Sequence, residues 1–219
     1  MQKYSVFSLV KNALSNHENW DLAWKDPTPK KEYDVVIIGG GGHGLATAYY
    51  LAKEHNITNV AIIEKGWIGG GNVGRNTTII RSNYMHDDNA LFSEFGMDLW
   101  RRMSQDLNYN VMFSPRGIIN LAHSDAQMNT YARRGNSMRL NGIDAVLLNR
   151  EELREIIPMA DFSENVRFPI FGGLMQPSAG TARHDAVAWG YARQADDMGV
   201  DIIQNCEVIG FDVSAGKIN

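Results

Sequence analysis

Two apolar periods organise the chain. Tyr33-Asp34-Val35-Val36-Ile37-Ile38 is a nearly unbroken apolar run and predicts a short strand buried in a parallel sheet. Leu45, Ala48, Tyr49 and Ala52 then recur at helical spacing and predict a helix ending near His55. Asn59 to Glu64 predicts a second buried strand, which closes a βαβ unit of about 30 residues. A Gly/Asn-rich loop follows from Lys65 to Asn76. Leu91, Phe95, Leu99 and Met103 predict the apolar face of a helix from about Asp87 to Leu107.

Downstream the elements shorten. Gly117 to Leu121 predicts a strand after the turn Ser114-Pro115-Arg116, and a polar helix is expected from Ser124 to Leu140. Ala145 to Leu148 predicts a strand. Asn149 is placed to cap the helix that follows, which Pro158 ends. Phe168 to Gln176 is expected to be extended, Ala182 to Met198 to be a helix stopped by Gly199, and Val200–Ile203 and Cys206–Val213 to be strands. Ala215-Gly216-Lys217-Ile218-Asn219 reads as a hairpin turn entering another strand, so the chain is expected to be the N-terminal piece of a longer protein. Ahead of the βαβ unit, Val6, Leu9, Val10 and Leu14 share one helical face. Trp20 and Trp24 follow at i, i+4, and Asp26 to Lys31 breaks any regular element. This arm is either a packed leader helix or a segment that docks on another subunit.

The composition narrows the class. With 44% hydrophobic and 21% charged residues the chain is globular, which excludes disorder, collagen and coiled coil as whole-chain readings. The longest aliphatic run, Val35 to Ile38, is far short of the roughly 20 apolar residues of a membrane helix, so no membrane association is expected. Met1 to Val10 lacks the pattern of a secretory signal. A single cysteine, Cys206, excludes internal disulfides and thiolate clusters and points to a reducing cytoplasm. A net charge of -4 argues against general nucleic-acid binding. His17, His43, His55, His86, His123 and His184 show no paired metal-ligand spacing, so no metal site is expected. Neither a P-loop nor a G-x-S-x-G elbow occurs.

Glycine carries the positive signal. Gly39-Gly40-Gly41-Gly42-His43-Gly44 contains G-x-G-x-x-G between a predicted strand and a predicted helix, and Glu64 lies twenty residues past Gly44 at the end of the second strand. Gly39 permits a tight turn, Gly41 lets a pyrophosphate approach bare backbone, and Gly44 allows the helix to pack closely on the strand. Gly42 and His43 belong to the same turn, at a helix N-terminus that attracts phosphate. Glu64 suits the adenosine ribose hydroxyls and disfavours a 2′-phosphate, hence NADP. The loop after it, from Lys65 through Asn72, Arg75, Asn76 and Thr77 to Thr78, offers backbone donors and a guanidinium to a pyrophosphate or a flavin. An NAD dehydrogenase has no evident use for such a loop, so FAD is favoured.

Asp34 to Lys53, Arg75 to Tyr84 and Ala182 to Trp189 together resemble the beta subunits of heterotetrameric sarcosine oxidases, within the wider FAD-dependent amine and D-amino acid oxidases. The resemblance covers essentially the whole chain, about half of a family chain. It implies an α/β protein with a Rossmann-like FAD-binding domain and an interleaved α+β substrate domain. The arm would be 1–32, the FAD-binding segments 33–108 and 182–219, and the first substrate segment 109–181. FAD would be non-covalent, and FMN would be covalently attached to His184, with Arg183 beside it. Arg81 of Ile79-Ile80-Arg81 would clamp the sarcosine carboxylate, with a surface salt bridge as the alternative. Val208 would meet the adenine. Electrons would pass from FAD to FMN to oxygen, giving hydrogen peroxide. The partners implied are an alpha subunit that binds NAD and serves tetrahydrofolate, and smaller gamma and delta subunits. Related dimethylglycine or D-amino acid dehydrogenases, and an electron-relay or assembly subunit without turnover, stay open.

Overall fold

A computed structural model describes residues 5–18 and 22–218; Trp20 and Asn219 lie outside the described residues. The helices are α1 (Val6–Leu14), α2 (Gly42–His55), α3 (Asp87–Asp106), α4 (Asp125–Leu140), α5 (Arg150–Ile156) and α6 (His184–Asp197). The strands are β1 (Val35–Ile38), β2 (Val60–Ile63), β3 (Ile79–Ile80), β4 (Ile118–Ala122), β5 (Val146–Asn149), β6 (Gly172–Gln176), β7 (Gly180–Thr181), β8 (Asp201–Ile203), β9 (Val213–Ser214) and β10 (Lys217–Ile218). They group into two units: Met1–Ile68 with Tyr191–Asn219, and Gly69–Gly190.

The first unit is built on a parallel sheet of order β1-β2-β8, in which Ile37 pairs with Ile62 and Ile62 with Ile202. Leu45, Ala48, Tyr49 and Ala52, the predicted stripe of α2, are its buried residues. The helix ends at Asn56, whose left-handed φ of 55° stops the helical repeat. β2 is buried, but Val36 and Ile38 on β1 are 50% and 55% exposed. Among the described residues β1 is therefore not buried on both faces as predicted: nothing covers the face of Val36 and Ile38, and β2 is its one sheet neighbour. Asp201 on β8 ties down the chain entering the sheet, through Lys30 Nζ at 2.8 Å and the Tyr33 hydroxyl at 3.0 Å. Ser5 caps α1, which buries none of its residues: Val6, Phe7 and Leu14 are 73%, 78% and 84% exposed. Its apolar face is thus not packed as a leader helix among the described residues.

Cys206 to Asp212 forms no strand: the Cys206 N–H donates to the Glu64 carbonyl at 3.0 Å, and among the described residues no strand pairs with the positions after it. The expected hairpin is present as β9–β10, with Ala215 and Gly216 at φ 51° and 77° in its two-residue turn.

The second unit carries an antiparallel sheet of order β4-β6-β5 and the small β3–β7 ladder. Met138 of α4 and Leu174 of β6 form a core cluster with Ala90 and Ile143, and Leu153 of α5 forms a second with Leu148, Phe162 and Ile170. Asn149 caps α5 in a reciprocal capping box with Glu152. The α3 face follows the prediction in part. Of the predicted face Met103 is buried and Leu99 half-buried, but Leu91 and Phe95 are 55% and 64% exposed, and Ala90 and Met97 are buried in their place.

Candidate functional site: a phosphate loop and an arginine cradle

In the first unit β1 runs straight into the glycine turn. Gly39 has φ +106° and its N–H donates to the Ile63 carbonyl at 2.8 Å, so the turn starts while still joined to β2. Gly41 precedes α2 with extended backbone and no side-chain cap, which leaves the first-turn N–H groups for another acceptor. Any β-carbon on Gly44 would stand 2.1 Å from the Gly39 carbonyl oxygen, so the close approach of helix to strand requires glycine. Gly42 and His43 open α2, and the exposed His43 carbonyl accepts from the Thr47 hydroxyl at 2.8 Å.

Glu64 grips this turn. Its Oε2 accepts from the Gly40 N–H at 2.7 Å and its Oε1 from the Gly66 N–H at 2.8 Å, joining the loops that follow β1 and β2. Each carboxylate oxygen keeps a lone pair for a further donor. Beyond it Lys65 is exposed, and Ile68 N–H donates to Gln204 Oε1 at 2.9 Å. Val208 is half-buried in irregular backbone.

In the second unit Asn72–Arg75 forms a single 3-10 turn. Asn76 turns back on it, donating to the Val73 carbonyl at 2.7 Å and accepting from Thr78 N–H at 2.7 Å. The side chains of Asn72, Arg75, Asn76 and Thr77 are exposed. β3 then delivers Arg81 to the edge of a cavity of about 320 Å³ lined by Ile79, Ile80, Phe92, Phe95 and Trp100. Among the described residues no ion pair of Arg81 with a carboxylate is present. Its Nη1 donates to Asn83 Oδ1 at 2.5 Å, and its guanidinium lies 5.1 Å from the Tyr84 ring centre.

Sequence reasoning missed the polar set behind Arg81. Ser82, Asn83 and Gln176 are fully buried. Ser82 N–H donates to Gln176 Oε1 at 3.0 Å, and Gln176 Nε2 donates to Ser82 Oγ at 2.7 Å. Arg134 Nε donates to the Asn83 carbonyl at 2.6 Å. Burial, and next the charge of Arg81, hold the Arg134 pKa below its ordinary value. The only sequence signal was three polar residues close behind an apolar pair, which reads equally as a loop.

His184 opens α6, as expected, and its Nδ1 is buried without a hydrogen-bond partner. Arg183 is exposed and pairs along its own segment. Its Nε and Nη2 fork onto Asp185 at 3.0 and 2.5 Å, and this pairing raises the Arg183 pKa and lowers that of Asp185.

A βαβ turn in which Gly39 and Gly44 cannot carry side chains without strain or clash, with a carboxylate just after the second strand, defines a dinucleotide-binding protein. The chain belongs to the DAO family of FAD dependent oxidoreductases, which it matches over residues 34–219. Sarcosine oxidase subunit beta of Rhizobium meliloti (strain 1021) is 60% identical over 216 residues, which covers 99% of this chain and 52% of that protein. The protein of the same name from Rhodobacter capsulatus is 51% identical over 218 residues, 100% of this chain and 52% of that one. The chain thus spans about half the length of the curated relatives it matches. Among solved structures, L-proline dehydrogenase from P. horikoshii matches with a TM-score of 0.78 at 28% identity, covering 87% of this chain and 48% of that one. Glycine oxidase from Bacillus cereus shares the fold alone, with a TM-score of 0.74 at 22% identity, covering 85% and 50%.

Proposed function

We propose that the chain is the flavin-binding part of a subunit that oxidises sarcosine to glycine and a one-carbon unit, formaldehyde or methylene-tetrahydrofolate, with formation of hydrogen peroxide. The observation that carries this reading is the 60% identity to a named sarcosine oxidase subunit beta along nearly the full chain. The chemistry supplied by the bound flavins is acceptance of an electron pair from a C–H bond and its delivery to oxygen.

The chain's own residues hold and orient. The α2 N-terminus and the Gly39–Gly44 backbone would take the FAD pyrophosphate, with Lys65 nearby. Glu64 would accept from the ribose hydroxyls while keeping Gly40 and Gly66 in place, and Val208 would lie against the adenine. Asn72, Arg75, Asn76 and Thr77 would offer donors to the flavin end. Arg81 would take the carboxylate of sarcosine through its planar fork, so that the N-methyl carbon is presented in one orientation. With no carboxylate paired to it among the described residues, Arg81 would keep its charge for that ligand.

His184 fits as the attachment point of FMN. A neutral imidazole is required as nucleophile, and a ring nitrogen without a hydrogen-bond partner at the positive end of a helix suits that demand. Arg183 supports this less than expected, since its charge is paired with Asp185. Partners are proposed on the same basis: an alpha subunit that binds NAD and serves tetrahydrofolate, and smaller gamma and delta subunits. The exposed apolar face of α1 is suited to docking on one of them. The test is the absorption and mass of the denatured, washed full-length protein. Residual flavin on the peptide containing His184, lost in His184→Asn with FAD retained, supports the reading, and an unmodified peptide from the assembled enzyme refutes the attachment. Turnover with sarcosine against dimethylglycine and D-alanine checks the substrate.

A further inference from the structure

Asn83 stands where two guanidinium groups meet, and its chemistry there is specific. The residue is fully buried. Its Oδ1 accepts from Arg81 Nη1 at 2.5 Å and from Arg134 Nη2 at 3.1 Å, while its Nδ2 donates to Asn120 Oδ1 at 2.7 Å. Guanidinium groups are donors only, so the amide must turn its oxygen toward them and its nitrogen toward Asn120. The main-chain carbonyl of Asn83 is also taken, by Arg134 Nε and Nη2. The backbone just after Arg81 is locked as well, since Ser82 is held by Gln176 through both its N–H and its hydroxyl. The carboxylate nearest in this network, Glu94, is turned to the Ser82 hydroxyl at 2.5 Å and to Arg101 at 3.2 Å.

We infer that Asn83 is a positioning residue that fixes the direction of the Arg81 guanidinium while leaving its charge free for a substrate carboxylate. The inference rests on the proposed role of Arg81. The reason for an amide is electrostatic. A carboxylate at this position would orient Arg81 equally well, but it would form an ion pair with it and with Arg134, and an incoming carboxylate would have to compete with that pair. An apolar residue would leave half-buried guanidinium donors without this acceptor and Arg81 free to turn. A neutral acceptor avoids both outcomes. The Arg134 cation, partly desolvated and next to that of Arg81, strengthens the case, because two like charges share one neutral oxygen and an anion arriving at Arg81 relieves their repulsion.

The test uses the full-length assembled enzyme with sarcosine as substrate and acetate as a simple carboxylate inhibitor. Asn83→Asp preserves size and both guanidinium contacts, and Asn120 can rotate its own amide to donate. KM for sarcosine and the inhibition constant of acetate should each rise about tenfold, the scale of one charge-assisted contact, while kcat and FAD content change little. A structural role alone would instead reduce FAD content or stability and leave acetate inhibition unmoved. Asn120→Ala is the second variant. It keeps Asn83 but frees its amide, and KM should rise about threefold. Arg81→Lys separates the two claims. If it leaves sarcosine and acetate binding unchanged, the carboxylate role of Arg81 fails and Asn83 loses its purpose. If Arg81→Lys is impaired but Asn83→Asp and Asn120→Ala bind both ligands normally, the positioning role alone is overturned.

Discussion

The glycine turn of the first unit and the arginine cradle of the second are assembled on different plans. In the turn, the side-chain hydrogen bonds of Glu64 join residues 24 and 2 apart, and most of the remaining geometry comes from one strand running into one helix. In the cradle, Asn83 meets Asn120 across 37 positions and Arg134 across 51, and Ser82 meets Gln176 across 94. Backbone supplies most of the binding groups in the turn, whereas every hydrogen bond of the cradle has a side chain on at least one end. A site made of backbone needs only residues that stay out of its way. A site made of side chains needs partners that arrive from several elements, and any one of them can be lost without altering the local chain.

The contrast is tested first where steric demand is absolute. Gly44→Val would place a β-carbon against the Gly39 carbonyl, which backbone cannot avoid without movement. We expect a loss of about 3 kcal/mol in denaturant unfolding of the full-length protein, together with loss of FAD binding. Native stability in that variant would show that the turn tolerates rearrangement. Next is Glu64→Gln. The carboxamide keeps the shape but turns an NH2 group onto the Gly40 or Gly66 donor. FAD affinity measured by titration should fall by about 1.5–3 kcal/mol, and an unchanged affinity would remove Glu64 from the cofactor.

In the cradle, Gln176→Leu keeps the volume and leaves the Ser82 N–H buried without an acceptor. The expected cost is about 1–3 kcal/mol of stability by chemical denaturation, and a neutral result would mean that water or another group replaces the amide. The smallest effect concerns pH. The Arg183 pairing holds the Asp185 carboxyl below its ordinary pKa of 3.8 in the folded state. Its contribution is therefore present above that value and lost as pH falls through the folded pKa. Asp185→Asn should be slightly less stable at pH 7, and the gap should close below about pH 4. A gap that persists in acid would assign the effect to packing.

By itself the sequence determined the local parts. The stripe of α2, the Asn149 cap, the start of α6 at His184 and the Gly39–Gly44 turn were all legible, because each depends on residues within a few positions of one another and on steric rules that hold in any fold. The spacing to Glu64 was legible for a related reason: a βαβ unit has a nearly constant length. The tertiary structure alone decided which apolar residues of α3 are buried and, among the described residues, that β1 has a single sheet neighbour, that Cys206–Asp212 joins no strand, and that Arg183 pairs with Asp185. It also alone brought Asn120, Arg134 and Gln176 to the residues after Arg81. Burial of a stripe, pairing of a strand and meeting of polar side chains far apart in the chain are set by what packs against each element, and neither periodicity nor spacing encodes that.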